Sequence, residues 1–144
     1  MKSKGLSTLL ATMLLVIFAA VSAWAQQGVP TVDAESGECS VDLTAVNASG
    51  APVAGAQIEV EVYYGFLGVR RLDLQVGTDS HGHARFAGLP DRADGVLYFQ
   101  GTKDRLFGVA VHNLAAACHG RHYLYMGKPP ARENEFTAAK DSAQ

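Results

Sequence analysis

The chain has 144 residues, with 12 basic and 14 acidic side chains, a net charge of −2 and 48% hydrophobic residues. That length supports one domain with a core of its own. No basic block occurs, so a nucleic-acid or anionic-membrane partner has no electrostatic footprint, and those two function classes are set aside.

Lys2 and Lys4 precede an uncharged stretch, richest in apolar residues from Leu9 to Val21, which ends at Ala23-Trp24-Ala25. A basic start, a short apolar centre and a small-x-small exit are the parts of a secretory signal, so residues 1–25 read as a signal peptide cut after Ala25. The rival is an uncleaved anchor, because Gly5 to Ala25 carries no charge and is about long enough to cross a bilayer. Ser7, Thr8, Thr12 and Ser22 dilute it. Losing Lys2 and Lys4 with the signal leaves ten basic against fourteen acidic residues, a net of −4. The expectation is a protein exported to the periplasm or secreted, with no membrane insertion after cleavage. In an oxidising compartment an even cysteine count favours a bridge, and two cysteines allow one pairing, Cys39 with Cys118. It would close a loop of about 80 residues, worth about 4 kcal/mol of chain entropy. The alternative leaves Cys118 as a reactive or metal-binding thiol beside His119.

Residues 26–38 are polar and contain Gly and Pro, and read as a flexible lead-in. From Cys39 to Val46 the chain alternates, with Cys39, Val41, Leu43 and Ala45 on one side. Asn47-Ala-Ser-Gly50 turns it. Ala56, Ile58, Val60, Val62 and Tyr64 then fall on every second position, opposite Gln57, Glu59 and Glu61, the period of a half-buried strand. Tyr64 to Gly68 is a loop, and Arg70 to Val76 alternates again. A Gly-punctuated turn leads into a short strand with Ala84 and Phe86 on one side, closed by Gly88-Leu-Pro-Asp91. Val96 to Gln100 and Leu106 to His112 are apolar on both sides, which predicts central strands. Leu114-Ala-Ala-Ala predicts a single helical turn, and Arg121 to Met126 a last strand. Residues 127–144, with Pro129-Pro130 and many Ala, Glu and Lys, are expected to be a disordered tail. Seven short strands without a long helix predict an all-β fold, an antiparallel sandwich of two sheets over residues 39–126.

Two runs carry a resemblance. Gly50-x-Pro-Val-x-Gly-Ala-x-Ile-x-Val60, followed by Thr78-Asp-x-x-Gly82-x-Ala-x-Phe86-x-Gly-Leu-Pro90, resembles the transthyretin-like or carboxypeptidase-regulatory-like sandwich, an Ig-like arrangement. The resemblance implies the fold and a module that spaces, stabilises or binds. Two enzyme groups share the architecture. Hydroxyisourate hydrolases end in Tyr-Arg-Gly-Ser, whereas this chain ends Lys140-Asp-Ser-Ala-Gln144. Intradiol ring-cleaving dioxygenases share the Gly-Pro-Val-x-Gly-Ala turn and bind iron through two Tyr and two His, with a His-x-His on a late strand. Here His81-Gly-His83 lies in the earlier turn, so no ligand carries over by position.

His81 and His83, two apart, would project from one face of a strand toward a shared metal; His119 and His122, beside Cys118, form a second candidate set. Against both, a solvated turn accounts for His81 and His83, and a bridged Cys118 for His119. Arg70 and Arg71 suit an anion clamp, or an outward ion pair with Glu59 or Glu61. Tyr63, Tyr64 and Phe66 crowd one hairpin end, either as a recognition surface or as a cover for the sandwich. Asn47-Ala-Ser49 fits a glycan acceptor. No Gly-x-Ser-x-Gly elbow occurs, and no catalytic residue or cofactor is expected. The expectation is therefore an exported, non-enzymatic binding or structural module of the cell envelope. Its partner would be another envelope or extracellular protein, met through end loops Tyr63–Gly68 and Gly77–His83. The alternative is a periplasmic metal-binding protein using His81 and His83, or Cys118, His119 and His122.

Overall fold

A computed structural model of the protein describes residues 28–129. The signal peptide expected at 1–25 and most of the tail expected at 127–144 lie outside the described residues. The alternation is realised directly: Ile58, Val60 and Val62 are buried while Gln57, Glu59 and Glu61 face water. Eight strands result, β1 (Thr31–Asp33), β2 (Cys39–Asn47), β3 (Gln57–Tyr64), β4 (Arg70–Gly77), β5 (His83–Leu89), β6 (Leu97–Lys103), β7 (Leu106–His112) and β8 (His119–Met126). They form two four-stranded sheets, in the orders β1-β5-β2-β8 and β4-β3-β6-β7. No helix among the described residues is long and apolar enough to cross a membrane.

Inward side chains of both sheets fill the space between them. Phe86 and Phe99 meet across the core with ring centroids 5.0 Å apart, surrounded by Leu43, Ile58, Leu89, Leu97 and Leu124. The two sheets join along β7 and β8. Phe107 and Gly127 exchange backbone hydrogen bonds of 2.8 and 2.9 Å there. Close approach at this seam needs glycine. A Cβ on Gly108 would collide with the Tyr125 carbonyl, and one on Gly101 with Leu124 and Met126.

Several expectations are corrected. There are eight strands, not seven, because the supposed lead-in holds β1, which pairs in parallel with β5 from Thr31↔Arg85 to Asp33↔Ala87. Three residues are too few to show a period. The sandwich is mixed rather than antiparallel, since β2 and β8 also run parallel from Ser40↔His119 to Asn47↔Met126. Alternation tells which face is buried, not which way the neighbour runs. β6 is central as expected, but β7 is an edge strand with Val109 and Val111 exposed. The ordered domain runs past Met126, because Gly127 is paired.

The bridge forms. Cys39 and Cys118 are bonded with Cα atoms 4.6 Å apart, at the head of the parallel β2–β8 pair, where Ser40 N–H donates to the Cys118 carbonyl at 2.9 Å. Thr78 explains the second motif. Its buried hydroxyl donates to the Val53 carbonyl at 2.7 Å and accepts from Ala56 N–H at 2.9 Å, tying the two motif turns together. Replacing both cysteines by serine should lower the unfolding free energy by about 4 kcal/mol in a denaturant titration. Thr78→Val should lower it by about 2 kcal/mol, because two buried backbone groups lose their partner.

Candidate functional site

β3 and β4 pair residue for residue from Gln57↔Gly77 to Tyr64↔Arg70, leaving Gly65 to Val69 to turn the chain. Gly65 and Gly68 take left-handed backbone angles, with φ of 84° and 63°, and Leu67 between them sits at φ 56°. A leucine in that region is strained by about 1–2 kcal/mol, so the turn is held by its surroundings rather than chosen by Leu67. The result is an apolar tip: Phe66, Leu67 and Val69 are 83%, 81% and 76% exposed. Single exposed apolar residues are ordinary, but three on one protruding turn make a continuous apolar patch.

The residues expected here do gather at its base. The Arg70 guanidinium lies 5.9 Å from the Tyr64 ring centre, and that of Arg71 5.8 Å from the ring of Tyr63. Arg71 also pairs with Glu61 at 2.9 Å and Asp73 at 2.8 Å, which makes it an outward ion-pair residue rather than a free anion clamp. Asp73 is the first cause of the raised Arg71 pKa, with Glu61 adding to it. The second expected contact loop, Gly77–His83, lies elsewhere. Gly77 pairs with Gln57, a full strand length from the tip, so the two loops occupy opposite ends of the hairpin.

Beside the tip the sheet opens. β3 pairs with β6 only over Gln57–Glu59, opposite Thr102–Gln100. The strands then part, and the chain before β6 returns to β3 through Tyr64↔Ala93 and a 2.7 Å bond from Asp94 N–H to the Tyr63 carbonyl. The gap is a cleft of about 390 Å³ floored by Val60 and Leu97 and walled by Glu59, Glu61, Tyr63, Asp94, Val96, Tyr98 and Gln100. The Asp94 carboxylate lies against Gly68, where a Cβ would strike it, so tip and cleft share a wall. Three carboxylates and two tyrosines line the cleft; Arg71 pairs with Glu61 from the neighbouring strand, which leaves Glu59 and Asp94 to offer negative charge to a cation with an apolar body. Asp94 and Tyr98 had no signal in the sequence, because the opening depends on where pairing stops.

Among the described residues, no histidine joins a group of three side chains close enough to share an ion. His81 lies in the turn and His83 starts β5; their rings stack with centroids 5.9 Å apart. Asp79 accepts both their backbone N–H groups at 2.8 Å. Burial pushes the Asp79 carboxyl up, but the His83 and His81 N–H groups outweigh it and leave the pKa lowered. His119 and His122 are three apart on β8, so they point to opposite faces. His119 meets Ser40 Oγ at 3.0 Å on the outside. His122 turns inward to His112, with Nε2 2.9 Å from its Nδ1. His112 Nε2 lies 2.8 Å from the Ala117 carbonyl, so Nε2 donates, and in a neutral ring of that tautomer Nδ1 accepts from His122. Among the described residues, the grouping of His, Cys, Asp or Glu that comes near enough to share an ion is Cys39, Asp91 and Cys118, and both of its sulfurs are in the disulfide.

No family model and no curated protein matches the chain. Solved structures with a similar course include 3-chlorocatechol 1,2-dioxygenase of Rhodococcus opacus 1CP, at TM-score 0.46 and 15% identity over 81% of this chain and 77% of that one. Hydroxyquinol 1,2-dioxygenase of Pseudomonas putida DLL-E4 gives 0.46 and 10% over 75% and 65%. Catechol 1,2-dioxygenase of Acinetobacter sp. ADP1 gives 0.43 and 9% over 76% and 56%. The expectation of a non-enzymatic envelope module is corrected on this finding. It assumed that such an architecture serves spacing and binding, whereas these proteins are all enzymes by name. The metal-binding alternative is not confirmed: His81 and His83 lie side by side, while His119 and His122 face opposite ways. A likeness of this degree transfers neither an activity nor a ligand set to this chain.

Burial, and then the neighbouring His112, lower the His122 pKa below its ordinary 6.5. The folded protein therefore binds this proton less readily than the unfolded chain does. The stability that His122 contributes is full above about pH 6.5 and is lost as pH falls toward the lowered folded value. Thermal unfolding should show a drop in melting temperature from pH 7.5 to 5 that is smaller in His122→Gln.

Proposed function

We propose that the protein works outside the cytoplasm through the tip and cleft acting as one recognition site. The observation that carries this is the exposure of Phe66, Leu67 and Val69 on a strained turn that shares a wall with a carboxylate-lined cleft. A matching ligand is an extended segment with an apolar side chain for the tip and a basic side chain for the cleft. An extracellular or envelope protein is the source that suits both. Apolar contact supplies the affinity, while Glu59 and Asp94 select for positive charge. Export is supported by the basic start and Ala23-Trp24-Ala25 exit of residues 1–25 and by the Cys39–Cys118 bond. The two turn motifs support placing the sandwich among the transthyretin-like type.

Site-specific photo-crosslinking from Leu67, in the producing cells, tests the proposal. A discrete adduct is expected, reduced at least about tenfold by Phe66→Asp and by Glu59→Gln/Asp94→Asn, with melting temperatures unchanged. Adducts that persist in both variants, or crosslinks to lipid alone, overturn it.

A further inference from the structure

The outer face of the other sheet holds a second concavity, of about 380 Å³, and the strand register builds it. Asp42 of β2 stands between Arg85 of β5 and Arg121 of β8. Thr44, next on the same face, stands between His83 and Tyr123. Residues in register on neighbouring strands point the same way, so these six side chains rise from one surface. Val29 closes one side of the groove.

The charges in the groove do not cancel. Arg85 grips Asp42 in bidentate fashion, Nε to Oδ1 at 2.5 Å and Nη2 to Oδ2 at 3.0 Å. That hydrogen bonding, ahead of the opposing effect of burial, holds the Asp42 carboxyl below its usual range and keeps it ionised. One carboxylate therefore answers one guanidinium. Arg121 has no carboxylate within ion-pair distance among the described residues, and it is exposed. Two guanidiniums and one carboxylate leave the groove at +1, on a chain whose net charge is −2. Two residues further along the same face of β8 the Tyr123 ring lies open, 63% exposed.

We propose that this groove binds a small planar carboxylate, with its anionic end on Arg121 and its flat body against the Tyr123 ring. A guanidinium presents paired N–H donors that match the two oxygens of one carboxylate, and an exposed tyrosine face offers a flat apolar platform beside it. A single uncompensated charge suits a monoanion better than a polyanion. Asp42 limits the affinity, since it already occupies Arg85 and repels an incoming anion. The groove lies on the opposite sheet from the tip and cleft, so this inference stands independently of the function proposed above.

The test is a titration of the isotope-labelled protein, followed by NMR shifts of β8 and β5, with benzoate and, separately, inorganic phosphate. Benzoate is expected to bind with a Kd on the order of millimolar and to shift Arg121, Tyr123 and Arg85 resonances. Arg121→Gln should weaken it about tenfold or more, and Arg121→Lys, which keeps the charge but loses the fork, less so. Asp42→Asn should tighten it, and the remote Asp73→Asn should change nothing. Melting curves confirm that each variant is folded. No saturable shift, equal binding by Arg121→Gln, or phosphate bound as tightly as benzoate would each overturn the proposal.

Discussion

The parallel union of β2 and β8 is the constraint on which the rest of this molecule depends. These strands lie 79 residues apart in sequence at Cys39 and Cys118, yet they share eight consecutive register pairs along one side of one sheet. Bringing such distant segments together carries a large loop-closure entropy, which the disulfide removes from the unfolded ensemble. Every strand from β3 to β7 is enclosed between them. The covalent bond sits where pairing begins, so it sets the register of the strands as well as their proximity.

That union also decides how the sandwich closes. With β8 against β2, its far edge faces β7 of the other sheet, and the two backbones approach until only glycine fits at Gly108. Gly120 plays the same part at the other end of the seam, where a Cβ would strike the His112 ring. His112 lies in that space and ties the Ala117 carbonyl to His122. The histidine pair therefore belongs to the packing of the seam, and its buried donors and acceptors are all accounted for.

The outer faces carry the charge, and they differ in sign. On one sheet Glu59, Glu61 and Asp94 line an opening with no basic residue; on the other Arg85 and Arg121 flank a single Asp42. Each feature arises where regular pairing ends or where register brings like charges together. A cleft made by two strands parting holds its walls on rigid backbone, so its side chains keep their positions without a ligand. The apolar tip is the exception, placed on a turn that left-handed glycines make possible and in which Leu67 is strained.

Much of this was legible in the residues. Period-two alternation named the inward side chains of β2, β3 and β4, and Thr78-Asp with Gly82 marked a turn whose buried hydroxyl and capping carboxylate are now seen. The pairing of two cysteines followed from their number and an expected oxidising destination. Tyr63, Tyr64, Phe66, Arg70 and Arg71 cluster because a hairpin brings its own ends together, which is local information. Strand direction, the three-residue β1, the parting of β3 from β6 and the meeting of His112 with His122 were not legible. Each depends on which distant segment lies alongside, and alternation is silent on that. What the chain determined alone was therefore its faces and turns; which faces met, and so where Asp94, Tyr98, Arg121 and Asp42 found their neighbours, was decided by packing between strands remote in sequence.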